Sequence, residues 1–306
     1  PNAVLDASAD TGVSGDNLTN NTKPMISGSA ATSGDTITVT VPGGEVLTAT
    51  VAANGTWSVT PTVALDAGEI ELSVTATDPA GNVSAATTLT IEVDADAPSA
   101  PAAIIDAIAD TGVPGDGITS NTKPVISGSA ASSGDTITVT VPGGEVLTTT
   151  VAANGTWSVT PTVALDAGET DLSITATDAA GNVSVATVLT VDVDASAPSA
   201  PAAVLDVSAD TGVSGDGLTN NTKPMISGST ATSGDTITVT VSGGEVLTAT
   251  VAANGTWAVT PTIAWDAGET EMSITATDAA GNVSAATTLT VEIDLTAPSA
   301  PGAVLD

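Results

Sequence analysis

The sequence predicts an all-β protein built as three tandem, near-identical sandwich domains forming an extended rod. Three observations carry that prediction. The 306 residues repeat with a period of one hundred and no insertion or deletion. Each copy holds short runs of alternating apolar and polar residues, rich in Thr, Val and Ile, between Gly, Asn and Asp turns. No segment sustains a helical period.

The repeat is read directly. Asn54-Gly55-Thr56-Trp57 returns as Asn154-Gly155-Thr156-Trp157 and Asn254-Gly255-Thr256-Trp257, and Asp10-Thr11-Gly12 returns at Asp110 and Asp210. A hundred-residue unit is large enough to close its own core, unlike the short repeats of a solenoid. The domains are therefore expected at 1–97, 98–197 and 198–297, with 298–306 beginning a fourth copy. The joints Ala97-Pro98-Ser99-Ala100-Pro101 and Ala197-Pro198-Ser199-Ala200-Pro201 are short and semi-rigid, because proline fixes its own φ and restricts the residue before it.

In the first copy the strands are expected near Ala3–Asp6, Met25–Ser29, Thr36–Val41, Val46–Ala52, Thr56–Thr60, Leu72–Thr77 and Thr87–Val93. Seven strands at roughly ten-residue spacing is the count of an immunoglobulin-like sandwich. Turns fall at Ser33-Gly34-Asp35, Pro42-Gly43-Gly44, Ala53-Asn54-Gly55, Asp66-Ala67-Gly68 and Pro79-Ala80-Gly81-Asn82.

Composition excludes several classes of function. The chain has no Cys, His, Tyr or Phe, and 35 acidic residues against three lysines give a formal charge of −32. Such a surface repels nucleic acid and anionic membranes. No apolar run is long enough to cross a bilayer, so membrane insertion is not expected. Without His or Cys the usual general bases and thiol nucleophiles are missing, and an enzyme is not expected. The charge also repels itself, which multivalent cations would relieve.

The acidic residues are patterned. In each copy three carboxylates share the loop after the first strand: Asp6, Asp10 and Asp16, then Asp106, Asp110 and Asp116, then Asp206, Asp210 and Asp216. Ca²⁺ takes six to eight oxygens from carboxylates, amides and carbonyls, and these loops offer them. Soft metals lack ligands in a chain without His or Cys. The spacing is not that of an EF-hand, and Asp, Asn and Gly also make turns for their own sake. Both readings stand. A second cluster follows from sandwich topology: Asp94 and Asp96 at the end of the last strand face the Asp178…Asn182 loop of the next domain. Asp194 with Asp278, and Asp294, are the later counterparts, although Ser196 and Thr296 replace the second carboxylate.

Trp57, Trp157 and Trp257 are expected in the core rather than in a sugar site, as is Trp265, which stands where the earlier copies have Leu65 and Leu165. Lys23, Lys123 and Lys223 are expected to pair with neighbouring acids.

Several segments together carry a family resemblance: Asp10-Thr11-Gly12…Gly15-Asp16…Thr19, Lys23-Pro24…Ser27-Gly28, Asn54-Gly55-Thr56-Trp57 and Thr77-Asp78-Pro79-Ala80-Gly81-Asn82, closed by Asp94…Ala97-Pro98. The chain resembles the bacterial Ig-like repeats that fill the stalks of giant non-fimbrial adhesins exported by type I secretion, enterobacterial ones included. The resemblance implies an extracellular place on the bacterial surface and Ca²⁺ ions that rigidify the stalk. It also implies partners, host-cell surface or biofilm matrix, that are met through other parts of the parent protein. Near-identical copies suit a monomeric spacer better than a lectin-like or homophilic binding module, whose working domain usually differs from its neighbours.

Overall fold

The computed structural model describes residues 1–29, 31–129, 131–229 and 231–302; the last four residues of the expected fourth copy, 303–306, lie outside them. The described residues hold strands and no helix. Repeat one runs β1 (Val4–Leu5), β2 (Leu18–Thr19), β3 (Ile26–Gly28), β4 (Thr36–Thr40), β5 (Val46–Thr50), β6 (Trp57–Val59), β7 (Gly68–Thr77) and β8 (Thr87–Val93). They form a three-stranded sheet, β1-β3-β6, and a five-stranded sheet, β2-β8-β7-β4-β5, and the same two orders return in the other repeats. Each repeat is an Ig-like sandwich.

All seven expected strands are present, most a residue or two shorter. Two differences have physical causes. The eighth strand, Leu18–Thr19, is too short to show a period, and it exists only because it pairs parallel with Glu92 and Val93 of β8. Strand β7 begins at Gly68, four residues before the expected start, since Gly68 already pairs with Val93. The turn residue is the strand's first residue.

The core lies between the sheets. Leu5, Ile26, Trp57 and Val59 come from one, and Ile37, Val39, Leu72, Val74, Ile91 and Val93 from the other. Burying each aliphatic side chain contributes about 1.5–3 kcal/mol, which lets the domain stand without aromatics other than Trp. The three sequence-repeated tryptophans are all 4% exposed. Gly28 sits directly across from Trp57 in the β3–β6 register. A Cβ there would stand 2.6 Å from Trp57 Cζ2, so the glycine makes room for the indole. Gly128 and Gly228 do the same for Trp157 and Trp257.

The chain divides into two compact units. One is 1–104 with 126–160 and 171–189; the other is 105–125 with 161–170 and 190–306. The second repeat contributes to both, so each unit holds a contact between successive repeats.

Candidate functional site

The loop between β1 and β2 carries the first acidic set. Asp6 accepts from Ser8 Oγ at 2.6 Å and from Ser8 N at 3.0 Å. Those bonds, the Ser8 hydroxyl first, hold its carboxyl below the ordinary range, and Ser208 does the same for Asp206. Asp10 Oδ2 accepts from Gly15 N at 2.5 Å, and Asp16 Oδ1 from Leu18 N at 3.0 Å. Asp106, Asp110, Asp116, Asp210 and Asp216 bond their own loops in the same way. One oxygen of each carboxylate thus shapes a turn. The three do not converge: among the described residues no group of three or more acidic side chains is placed to hold an ion together. The middle carboxylate is distinct, however. The second oxygen of Asp10, of Asp110 and of Asp210 is buried without a hydrogen-bond partner. A desolvated carboxylate oxygen without a hydrogen-bond partner fits a hard cation.

The second set meets across repeats. In the first unit Asn182 Nδ2 donates to the carbonyl of Asp94 at 2.8 Å and to Asp178 Oδ2 at 2.9 Å. In the second, Asn282 Nδ2 donates to the Asp194 carbonyl at 2.8 Å and to Asp278 Oδ2 at 3.0 Å. The Asp178…Asn182 loop therefore touches the end of the preceding repeat, through an asparagine and a carbonyl. The Asp94 carboxylate accepts from Asp96 N, Asp194 from Ser196 N and Asp294 from Thr296 N. That contact needs only a backbone N–H, which explains why Ser196 and Thr296 serve in the place of Asp96.

Beside it lies a contact that reading the loop as an acidic cluster missed. Thr11 Oγ1 donates to the Ala180 carbonyl at 2.6 Å, and Val13 N to the Ala179 carbonyl at 3.0 Å. Thr111 and Val113 repeat this on Ala280 and Ala279 at 2.5 and 3.0 Å. Between them Gly12 has φ +68 and Gly112 φ +79. A Cβ on either would collide with the carbonyl of Ala179 or Ala279. The glycine is there for close approach as well as for the turn. Thr11 is held from behind, accepting from Asn20 N at 2.8 Å. Thr19, fully buried, donates to the Ala9 carbonyl at 2.6 Å and accepts from Asn21 N at 3.1 Å. Thr19 and Asn82 are unchanged in all three copies; that constancy was the available signal.

The same leading end of repeats two and three buries another acid. Asp135 is 6% exposed and Asp235 5%. Burial, then the charge of Asp178, pushes the Asp135 carboxyl up; burial, then Asp278, does so for Asp235. Asp235 Oδ2 has no hydrogen-bond partner.

Away from the joints, Lys23 Nζ donates to the Thr62 carbonyl at 2.6 Å. The Thr62 hydroxyl and amide hold the Glu45 carboxyl below its ordinary range, with Lys23 a smaller contributor. The lysine thus caps a loop carbonyl beside an acid. Trp265 is 8% exposed, a core residue like the leucines it replaces.

Fold and site together define a tandem Ig-like array whose repeats touch through matched loops. The model of the bacterial Ig-like domain matches residues 1–95, 97–195 and 197–295, and the chain belongs to that family. Among solved structures, a 1.5-MDa bacterial ice-binding adhesin studied for host cell surface retention is 26% identical; the match covers 92% of this chain and 95% of that one, with TM-score 0.37. A Ca²⁺-stabilized adhesin that helps an Antarctic bacterium reach out and bind ice is 30% identical over 94% of this chain and 70% of that one, TM-score 0.38. A tetra-tandem repeat from the extending region of a large adhesion protein is 25% identical over 92% and 72%, TM-score 0.31. Comparison with curated proteins returned no match.

Proposed function

We propose that the chain is a calcium-stiffened stalk segment of a giant bacterial surface adhesin exported by type I secretion. In this reading it lies outside the cell and catalyses nothing. It projects a binding region located elsewhere in the parent protein toward host cells or a biofilm matrix. The observation that carries the proposal is the joint. Thr11, Gly12 and Val13 meet Ala179 and Ala180 as Thr111, Gly112 and Val113 meet Ala279 and Ala280. Near-identical modules joined by the same contacts give successive steps along a stalk the same geometry, and a spacer requires that. The three modules are separate folding domains, divided at the Pro98 and Pro198 joints.

Calcium would be held by Asp10, Asp110 and Asp210 through their unpartnered oxygens, while Asp6, Asp16, Asp94, Asp96, Asp178 and their counterparts would add to the negative field that attracts it. Bound Ca²⁺ would cancel part of the −32 charge and stiffen the loops at the joints. An ion at 100 times its dissociation constant stabilises the fold by about 2.7 kcal/mol, a large share of a domain stability of about 5–15 kcal/mol.

The test pairs small-angle scattering with Trp-monitored melting, in millimolar Ca²⁺ and then in chelator. The expected result is a longer particle and a higher melting temperature with calcium. If neither changes, the acidic loops are turns alone and any stiffness belongs to the protein contacts.

A further inference from the structure

Nine triplets of the form Asn-x-Ser or Asn-x-Thr occur in the chain, the pattern that accepts a sugar on the asparagine Nδ2. The fold sets six of them aside. Asn17 leads to Thr19, which is fully buried with its hydroxyl bonded to the Ala9 carbonyl. Asn20, with Asn220 as its counterpart, belongs to the joint: its Nδ2 lies 3.7 Å from where a Cβ on Gly181 would stand. In Asn82, Asn182 and Asn282 the Nδ2 is engaged. Each donates to Oδ2 of Asp78, Asp178 or Asp278 at 2.8–3.0 Å, and the last two also hold a carbonyl of the preceding repeat. Three triplets remain, and they are one site repeated: Asn54-Gly55-Thr56, Asn154-Gly155-Thr156 and Asn254-Gly255-Thr256. They form the turn between β5 and β6 and its two counterparts. The asparagine and the threonine are exposed in all three copies, including the two that follow a joint. Asn54 Oδ1 accepts from Thr56 Oγ1 at 2.8 Å and from Thr56 N at 3.2 Å, and the later copies repeat both bonds at 2.7–2.8 and 3.1 Å. A turn needs the amide bond; the hydroxyl bond is additional. Among the described residues the Asn54 Nδ2 has no partner.

We propose that Asn54, Asn154 and Asn254 are N-glycosylation sites, each taking one hexose from a nucleoside-diphosphate sugar in the hands of a transferase. The two donors on Oδ1 draw electron density toward the carboxamide oxygen, which makes the Nδ2 protons more acidic. Nδ2 attacks C1 of the activated sugar. The C1–O bond to the nucleoside diphosphate breaks, and the diphosphate leaves with that electron pair. One Nδ2 proton passes to a base of the transferase, and nothing is oxidised or reduced. The product is still a neutral amide whose Oδ1 is unsubstituted, so the turn keeps both bonds from Thr56. The competing chemistry of an Asn-Gly pair is restrained. Loss of ammonia needs the glycine nitrogen to close on the carboxamide carbon, and Gly55 N donates instead to the Ala52 carbonyl at 2.9 Å, as Gly155 and Gly255 do to Ala152 and Ala252.

This inference goes beyond the spacer reading and does not depend on calcium, so the two fail separately. The test is peptide mass spectrometry on the full chain made in the cells that naturally produce it. The expected result is a hexose on each of Asn54, Asn154 and Asn254 and none on the other six asparagines. Thr56→Val, at an exposed position, removes the hydroxyl and keeps the backbone bonds; Trp-monitored melting checks that repeat one still folds. It should lower occupancy of Asn54 tenfold or more, with Asn154 and Asn254 in the same chain as controls. Bare asparagines at the three turns, or sugar spread equally over Asn17, Asn20 and Asn82, would overturn the inference. So would occupancy that ignores Thr56→Val, or Asn54 converted to aspartate in place of carrying a sugar.

Discussion

The leading end of repeat one and the leading ends of repeats two and three have nearly the same sequence and different surroundings. Asp35 is half-buried and Ala80 exposed in the first. Asp135, Asp235, Ala180 and Ala280 are buried in the others, none more than 6% exposed. Nothing in the turn Ser-Gly-Asp or the loop Ala-Gly-Asn differs enough to cause this. The preceding repeat does it, by laying its Thr-Gly-Val tip and its last carbonyl on the loop. Burial at these positions is therefore a property of the joint. Three copies in different company serve as one another's controls.

The largest expected effect is one the comparison should not change. Gly28, Gly128 and Gly228 lie under a tryptophan and against the backbone carbonyl of Asn2, Ala102 or Ala202 in every repeat. Alanine at any of them should cost its own domain about 3 kcal/mol, the upper range for overpacking a core. Equal losses in the three repeats, read by Trp fluorescence melting, would establish that the domains are equivalent apart from their joints.

The next effect separates joint from domain. Gly112 and Gly212 share a left-handed backbone, φ +79 and +85, but only Gly112 faces another repeat's carbonyl. Gly212→Ala should cost the strain of a left-handed alanine, about 1–2 kcal/mol. Gly112→Ala should cost that and the joint as well, loosening repeats two and three in scattering. Equal effects from the two would mean that the close approach contributes nothing. A smaller contrast is expected from Thr111→Val and Thr211→Val. Both remove the acceptor for a loop amide, but only the first removes the bond to the Ala280 carbonyl. The difference should be about 1 kcal/mol, the net worth of one hydrogen bond, measured by denaturant unfolding.

Most of the fold was legible because alternation and turn chemistry are local. Thr36-Ile37-Thr38-Val39-Thr40 announces a half-buried strand without help from the rest of the chain. Leu18–Thr19 did not, since two residues carry no period and their strand is conferred by β8. Within the site the carboxylates were visible as residue types, and the structure leaves Asp10, Asp110 and Asp210 with the orphaned oxygens. The roles of Thr11, Gly12 and Asn182 were hidden, because each acts on a carbonyl between 88 and 169 residues away. A backbone carbonyl leaves no mark in a sequence. Burial of Asp135 and Asp235 was hidden for the same reason, as it depends on a neighbour and not on the Ser-Gly-Asp turn.

That last pair gives the smallest effect and a pH dependence. Burial first, and then the like charges of Asp178 and Asp278, raise the Asp135 and Asp235 carboxyls above the ordinary carboxylate range. The folded state then holds these protons more tightly than the unfolded chain, so stability rises on acidification. It is lost again as pH climbs from the unfolded value, about 3.9, through the higher folded one. At neutral pH the ionised side chain opposes folding. Asp235→Asn keeps the shape and an acceptor but removes the charge. In chelator at pH 7 it should raise the melting temperature of repeat three by a few degrees, about 4–8 °C corresponding to 1 kcal/mol in a domain of this size. It should also flatten the rise in stability on acidification. Asp35→Asn, at a half-buried position, should leave the melting temperature of repeat one unchanged. Matching shifts from the two variants would show that the turn itself, and not the joint, sets the cost.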